Sequence, residues 1–413
     1  MARLMTYLSL KTRHTVGLAF LLLVLVANPA FSASSIQLTW KANSESDLGG
    51  YYVHMGTAPE SYHTTKNVGL TTIFTFQDLP EGITYYFTVT AYDESGNISP
   101  PAKEVSITLP THDTNHNPLK NQDLNGDGKA DLVWHNTKTG NVAVWLFNGA
   151  SLEGSAFLGG LPTEWALKGV GDVNGDGKAD LVWRNDISGA VAIWLMNGLT
   201  ITSIGFPGMA PTTWGIQAVE DMDGDGKADL IWRNTTNGNT ALWLMNGAAI
   251  ASTGFPAGVP LEWQIAGAGD VNGDGKADVI WRHGTSSTVA VWLMNGLTIA
   301  STGFPGSAPT SWDIQAVGDI NGDGKADLIW RNTTDGNTAI WVMNGLSIAT
   351  LGFPAAVSVA WQIARADDVN GDGKADIIWR NSSNGSVAVW LMDGLTITST
   401  GFPGAASTDW EIQ

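Results

Sequence analysis

A nine-residue motif, Asp-x-Asn/Asp-Gly-Asp-Gly-Lys-Ala-Asp, begins at Asp123, Asp172, Asp221, Asp270, Asp319 and Asp368, and every interval is 49 residues. A strict period of this length means that one supersecondary unit is copied, and each copy must bury its apolar faces against its neighbours. Trp134, Trp145 and Trp165 recur with the same period, so 18 of the 19 Trp belong to the repeat. A second layer lies on top. The stretch before the motif reads Ile-Gln-Ala-Val at Ile216 and Ile314 but Gln-Ile-Ala at Gln264 and Gln362, which suggests a 98-residue unit present three times.

One repeat reads as four short strands. Trp214 to Val219 is the first, the Asp-rich loop follows, and Leu230 to Arg233 is the second. After a turn at Asn237-Gly238 come a third strand, Thr240 to Met245, and a fourth, about Ala249 to Phe255. Asn246-Gly247 joins these last two, because both residues accept the positive φ of a tight hairpin. Four antiparallel strands per repeat make one β-propeller blade. Residues 120–413 number 294, six times 49. The chain stops at Trp410-Glu411-Ile412-Gln413, in the register of the first half of a first strand, and residues 120–122 occupy the second half. The expectation is an all-β chain with a six-bladed propeller closed by its two ends in one blade; a truncated chain lacking a seventh blade is the competing reading.

The loop motif carries the chemistry. A hard divalent cation takes six or more oxygens. Side chains at positions 1, 3, 5 and 9, the carbonyl of position 7 and water supply them, and Gly at 4 and 6 lets the loop wrap. The candidate sets are Asp123, Asn125, Asp127, Lys129 and Asp131; Asp172, Asn174, Asp176, Lys178 and Asp180; Asp221, Asp223, Asp225, Lys227 and Asp229. The remaining three are Asp270, Asn272, Asp274, Lys276 and Asp278; Asp319, Asn321, Asp323, Lys325 and Asp327; Asp368, Asn370, Asp372, Lys374 and Asp376. In each set Lys enters through its backbone carbonyl. An EF-hand is excluded, since position 12 holds no Glu and a strand follows the loop. The loop and the strand after it resemble FG-GAP (VCBS-type) repeats. That resemblance implies that the loop joins the first two strands of a blade and binds Ca²⁺, up to six ions here. The family's Gly-Ala-Pro after the second strand is replaced by Trp-Arg-Asn, as at Trp183-Arg184-Asn185, a departure from the integrin mode of ligand binding.

Charge fits this account. The formal net charge is −18, and 19 of the 39 acidic residues lie in the loops. An acidic surface excludes binding nucleic acid through phosphates. The chain holds no Cys, which excludes disulfides, zinc thiolates and a cysteine nucleophile.

The first 32 residues read as a secretory signal. Arg3, Lys11 and Arg13 precede an uncharged apolar run from Val16 to Ala27, and Ala30-Phe31-Ser32 offers a cleavage site. The expectation is export to the extracellular space or periplasm, with no integral membrane segment in the mature chain. Residues 36–109 alternate apolar and polar as half-buried strands do. Leu38-Thr39-Trp40, Gly50-Tyr51-Tyr52-Val53 and Leu79 to Phe87 resemble a fibronectin type III domain, which implies a β-sandwich with Trp40 in its core and Tyr85 at the tyrosine corner. Residues 110–119 read as a linker, and His112 and His116 within it as linker residues, not metal ligands.

Three Trp per repeat suit packing between blades better than stacking on sugars. The Arg after the second-strand Trp (Arg184, Arg233, Arg282, Arg331 and Arg380, with His135 in the first repeat) is the candidate for a repeated ligand surface at the rim. No Ser/His/Asp constellation recurs, and sialidase-type Asp boxes are absent. The function expected is therefore non-catalytic: a calcium-stabilised binding or adhesion protein for glycans or cell-surface protein ligands. The alternatives are a structural or protein-assembly module, and an accessory or carbohydrate-active enzyme whose site the repeats hide.

Overall fold

The computed structural model describes residues 26–27, 36–76, 79, 83–108 and 122–413. The expected leader, apart from Val26–Ala27, the linker and its two histidines, and residues 120–121 lie outside the described residues. The chain divides into two compact units, residues 1–114 and 115–413. No helix is long and apolar enough to cross a membrane among the described residues.

The first unit is a β-sandwich. One sheet orders the strands Thr64–Gly69, Leu48–Gly56, Thr84–Asp93 and Val105–Thr108; the other orders Val26–Ala27, Ile36–Thr39 and Ile73–Phe76. Inward residues of both sheets, among them Leu38, Val53, Phe76, Tyr85 and Phe87, form one core. Trp40 lies in it, edge-on to Tyr51 at 5.6 Å. The Tyr51 hydroxyl accepts the Asn43 amide N–H at 2.7 Å, which ties the loop after Trp40 to the sheet.

The second unit is the propeller. Among the described residues it consists of six four-stranded antiparallel sheets. Blade 2 is typical: Trp165–Gly171, Asp180–Asn185, Ala190–Asn197 and Thr200–Met209, each strand paired with the next. The second strand is buried along its whole length, because it has a strand on either side and a blade on either face. In blade 1 the outer three strands are Leu132–Asn136, Asn141–Asn148 and Ser151–Gly160, and the inner strand is Trp410–Ile412. Trp410 faces Asn136, Ile412 faces Trp134, and the Gln413 amide donates to the Val133 carbonyl at 3.0 Å. Among the described residues the ring therefore closes at six blades.

The 98-residue alternation is only partly structural. Blades 3 and 5 have short outer strands, Ala249–Gly254 and Ser347–Gly352. There the Thr240 and Thr338 hydroxyls donate to the Ala257 and Ala355 carbonyls, where blades 2, 4 and 6 pair Val191, Val289 and Val387 in a longer ladder. Blade 1 carries Val142 and a ten-residue outer strand, so it follows the even blades.

Blade 4 departs from the others in its turn. Ser287 has φ of 63°, where the other blades place Gly, such as Gly238 at 75°. A side chain in the left-handed region costs about 1 kcal/mol. Ser287→Gly should therefore stabilise the chain by about 1 kcal/mol in urea unfolding with calcium present; a lower midpoint would mean that the serine makes a compensating bond. In the opposite direction, a Cβ on Gly238 would collide with the Val259 carbonyl.

Candidate functional site

Each aspartate loop joins the first and second strands of its blade, as in Trp165–Gly171 and Asp180–Asn185 around residues 172–180. Its shape follows from its carboxylates. Asp172 Oδ1 accepts the Gly175 N–H at 2.7 Å and Oδ2 the Gly177 N–H at 2.7 Å, so the first residue curls the loop around itself. Asn174 and Asp176 then take the amides two residues on, at 2.8 and 3.0 Å. Gly175 and Gly177 hold φ of 77° and 79°, which L side chains rarely adopt.

The ninth residue does something that spacing alone does not show. Asp180 Oδ1 accepts the Met196 N–H of the third strand at 2.8 Å, and Oδ2 accepts the Val173 N–H at 3.2 Å. The pattern recurs at Asp131, Asp229, Asp278, Asp327 and Asp376. This buried carboxylate braces the loop to its own blade. Burial raises its pKa, to about 7 at Asp131, Asp180 and Asp327 and about 8 at Asp229, Asp278 and Asp376, and the carboxylates at positions 1 and 5, or 3 and 1 for Asp229, push the same way.

The donor set fits a hard cation. In the third loop Asp221, Asp223 and Asp225 each offer a carboxylate oxygen within 4.8 Å of one another. Elsewhere position 3 is Asn, and in the second, fourth, fifth and sixth loops its amide donates to the position-5 carboxylate, at 3.1 Å for Asn370 and Asp372. Acids crowded in this way cost stability as they ionise, so their cost grows with rising pH, and a bound dication removes it. The Lys side chains differ from loop to loop. Lys227 pairs with Asp225 at 2.7 Å, while Lys276 reaches Asn295 and Lys374 reaches Asp393.

The loops also hold the blades together. The position-8 amide of each blade donates to the position-1 carbonyl of the preceding one, from Ala179 to Asp123 through Ala130 to Asp368, at 2.6–2.7 Å. The hairpin Gly of each blade, such as Gly198, donates to the position-2 carbonyl of the preceding blade, such as Leu124, at 2.6–3.0 Å. A circle of such bonds passes through all six loops, the closing seam included. An ion that orders a loop therefore orders two blades.

The arginines are not a rim surface. Arg184, Arg233 and Arg331 are buried. Arg184 donates to the Gly189, Ala210 and Pro211 carbonyls, and Arg233 to their counterparts Gly238, Val259 and Pro260. Each of the five guanidiniums lies over the second-strand Trp of the next blade at 4.7–5.1 Å, the last being Arg380 over Trp134. They are pins between blades, with their terminal nitrogens on carbonyls and their faces on indoles. In blade 1 His135 takes this place, edge-on to Trp183 at 5.3 Å. Burial, with Lys168 nearby, lowers its pKa.

The aromatic residues divide by position. Second-strand Trp are wholly buried and pack on the third-strand Trp of their own blade at 4.6–5.0 Å. The first-strand Trp are half-buried. Each meets a Phe of the outer strand or the turn after it at 5.7–6.4 Å: Trp165 with Phe206, Trp214 with Phe255, Trp263 with Phe304, Trp312 with Phe353, Trp361 with Phe402 and Trp410 with Phe157. These six Phe are 64–74% exposed. A Phe-Pro step occurs at the same point of five repeats, but only the fold shows that the Phe points to water.

A model of the fibronectin type III domain matches residues 25–108, beginning inside the segment read as a leader. A model described as FG-GAP-like repeat matches residues 172–232, 221–281 and 270–330, and one described as FG-GAP repeat matches 359–392. Among curated proteins, chitinase D of Niallia circulans is 33% identical over 117 residues, 28% of this chain and 20% of that protein. The chain thus spans about a fifth of the length of the curated relative it matches. Similar solved structures include the Tc holotoxin pore of Photorhabdus luminescens, 14% identical with a TM-score of 0.40 over 94% of this chain and 20% of that one. Hydrazine synthase of Kuenenia stuttgartiensis is 13% identical with a TM-score of 0.39 over 75% of this chain and 93% of that one.

Proposed function

We propose that this chain, a fibronectin type III domain followed by FG-GAP repeats, is an exported, calcium-stabilised and non-catalytic protein that binds glycans multivalently through its propeller. The carrying observation is the six exposed Phe, each beside a half-buried Trp, repeated around the ring. Soluble proteins keep large apolar side chains from water unless a partner covers them. A pyranose ring offers C–H faces that stack on an aromatic ring and hydroxyls that stay in water. Strand 4 sets exposed hydroxyl residues such as Thr200, Thr202 and Ser203 near the Phe in sequence, which suits such a ligand. The net charge of −18 favours neutral glycans over acidic ones at these exposed positions. Weak single contacts become useful when six act together.

Calcium would be held by the side chains at loop positions 1, 3 and 5 and the position-7 carbonyl, with the ninth carboxylate completing the charge. When bound, the ion supplies a fixed positive centre that stiffens each loop and the seam beside it. It takes no part in chemistry.

A glycan array read with and without Ca²⁺ tests this. Phe206→Ala alone should lower avidity only slightly, and replacing all six Phe should abolish it with the melting temperature little changed. Retention of full glycan binding by the sixfold variant would overturn the reading. Binding to proteins but to no glycan would favour the protein-assembly alternative.

A further inference from the structure

In five of the six seams between blades an arginine fills one backbone cradle, and in the sixth the same cradle faces His135. Arg233 shows how the cradle is used. Its Nη2 donates to three carbonyls, Val259 at 2.8 Å, Pro260 at 3.0 Å and Trp263 at 3.1 Å, while Nη1 donates to Gly238. Arg331 repeats the threefold contact with Val357, Ser358 and Trp361, and Arg380 with Ala406, Ser407 and Trp410. The cradle is therefore built to surround one charged nitrogen with carbonyl oxygens.

Two repeats before Gly238, Val259, Pro260 and Trp263 stand Gly140, Leu161, Pro162 and Trp165. The bonds that shape the cradle are the same there. The Gly140 N–H donates to the Asn136 carbonyl at 2.8 Å, Leu161 to Gly140 at 3.1 Å and Trp165 to Pro162 at 2.9 Å, as Gly238, Val259 and Trp263 do at 3.0, 2.8 and 3.1 Å. Gly140 and Gly238 share the left-handed backbone, with φ of 72° and 75°. What differs is the side chain. An imidazole is shorter than an arginine, so His135 reaches Trp183 but donates to none of these carbonyls. It is 5% exposed, and its Nε2 is buried with no hydrogen-bond partner among the described residues. Buried polar atoms rarely stay so, and this one calls for an occupant beside it. Burial and then Lys168 hold the His135 pKa below the usual histidine value, so the ring is neutral at pH 7. With its proton on Nδ1, the neutral ring offers Nε2 as an acceptor. Lys168 does not leave the seam cationic, since Asp186 pairs with it at 3.7 Å and Glu411 stands opposite His135 in the strand pair.

We infer that the seam between blades 1 and 2 is a site for one ammonium ion, whose four N–H groups donate to the Leu161, Pro162 and Trp165 carbonyls and to His135 Nε2. The ion takes the place that the Arg233 Nη2 takes in its own seam, and the carbonyl oxygens replace its shell of water with charge-assisted bonds. A guanidinium does not fit as well, because the imidazole already lies against Trp183. Pro162 is exposed and Leu161 and Trp165 are half-buried, so the ion reaches the cradle from solvent. Bound there, it completes the sixth pin of the ring. The site is separate from the aspartate loops and from the exposed Phe, and it does not rest on the glycan reading.

The test is thermal melting of the full chain in saturating Ca²⁺ with the chlorides of ammonium, potassium and tetramethylammonium at one ionic strength. Ammonium should raise the melting temperature of the propeller by about 3 °C at a tenfold excess over its Kd, and tetramethylammonium, which has no N–H, should not. Potassium is close to ammonium in size but donates no hydrogen bond to Nε2, so it should do less. His135→Arg, which restores the side chain of the other five seams, should melt higher in every salt and lose the response to ammonium. His135→Ala, which keeps the carbonyls and removes Nε2, should weaken ammonium about tenfold. Proton NMR with ¹⁵N-labelled ammonium reads the site directly, as one bound ion per chain in the parent and none in His135→Arg. Equal effects of ammonium and either other salt, an ammonium response kept by His135→Arg, or no bound ion would overturn the inference and leave water as the partner of His135.

Discussion

Chelating calcium should lower the melting temperature of the propeller by at least 10 °C and leave the fibronectin type III unit nearly where it was. A ligand bound only by the folded state stabilises it by about 2.7 kcal/mol per site at a hundredfold excess over Kd. Two filled loops would thus contribute about 5 kcal/mol, and a unit of this size shifts by ~2–4 °C per kcal/mol. The structure sharpens the expectation. Every loop donates and accepts hydrogen bonds across two blade boundaries, so an emptied loop loosens its neighbour as well. Unfolding should then become less cooperative, with the calorimetric and van't Hoff enthalpies separating. The third loop, with Asp221, Asp223 and Asp225, should hold its ion longest in a chelator titration. Differential scanning calorimetry of the full chain with calcium and with EDTA resolves the two units. Equal loss in both, or none in either, would count against calcium as a folding ligand.

Removing Trp410 to Gln413 should cost roughly 3–5 kcal/mol, an unusually large effect for four terminal residues. The deletion takes away the inner strand of blade 1 and leaves an unpaired edge at Leu132–Asn136, whose residues are all buried. It also removes the Trp410 carbonyl, an acceptor for Arg380, and the indole against which Phe157 rests. Without its inner strand, blade 1 no longer backs Trp134, the indole that Arg380 covers at 4.8 Å. Urea unfolding in saturating calcium measures the loss. Hydrogen exchange should place it in blade 1 and its two neighbours, and a neutral deletion would show that the ring stands without this strand.

Much of this protein was determined by local sequence. The 49-residue period, the turns at Asn237-Gly238 and Asn246-Gly247, the four strands of a blade and the odd turn at Ser287 each follow from residues close in the chain. Even closure was legible, since Trp410 to Gln413 continue the repeat in phase. The Asp loops were legible as donor sets because carboxylate spacing within nine residues is a local property. What tertiary structure decided is what each repeated side chain faces. Arg184 reads as an exposed strand end until Trp232, 48 residues on in the next blade, covers it. Nothing near Phe206 in the chain decides which way it faces, and the outer strand turns it to water. The ninth Asp reads as a ligand alone, and only the third strand shows that it also accepts an amide and braces the loop. Periodicity determines which residues are equivalent. Only the packing of one blade on the next determines which of them meet each other and which meet solvent, because those partners lie a full repeat or more away in the chain.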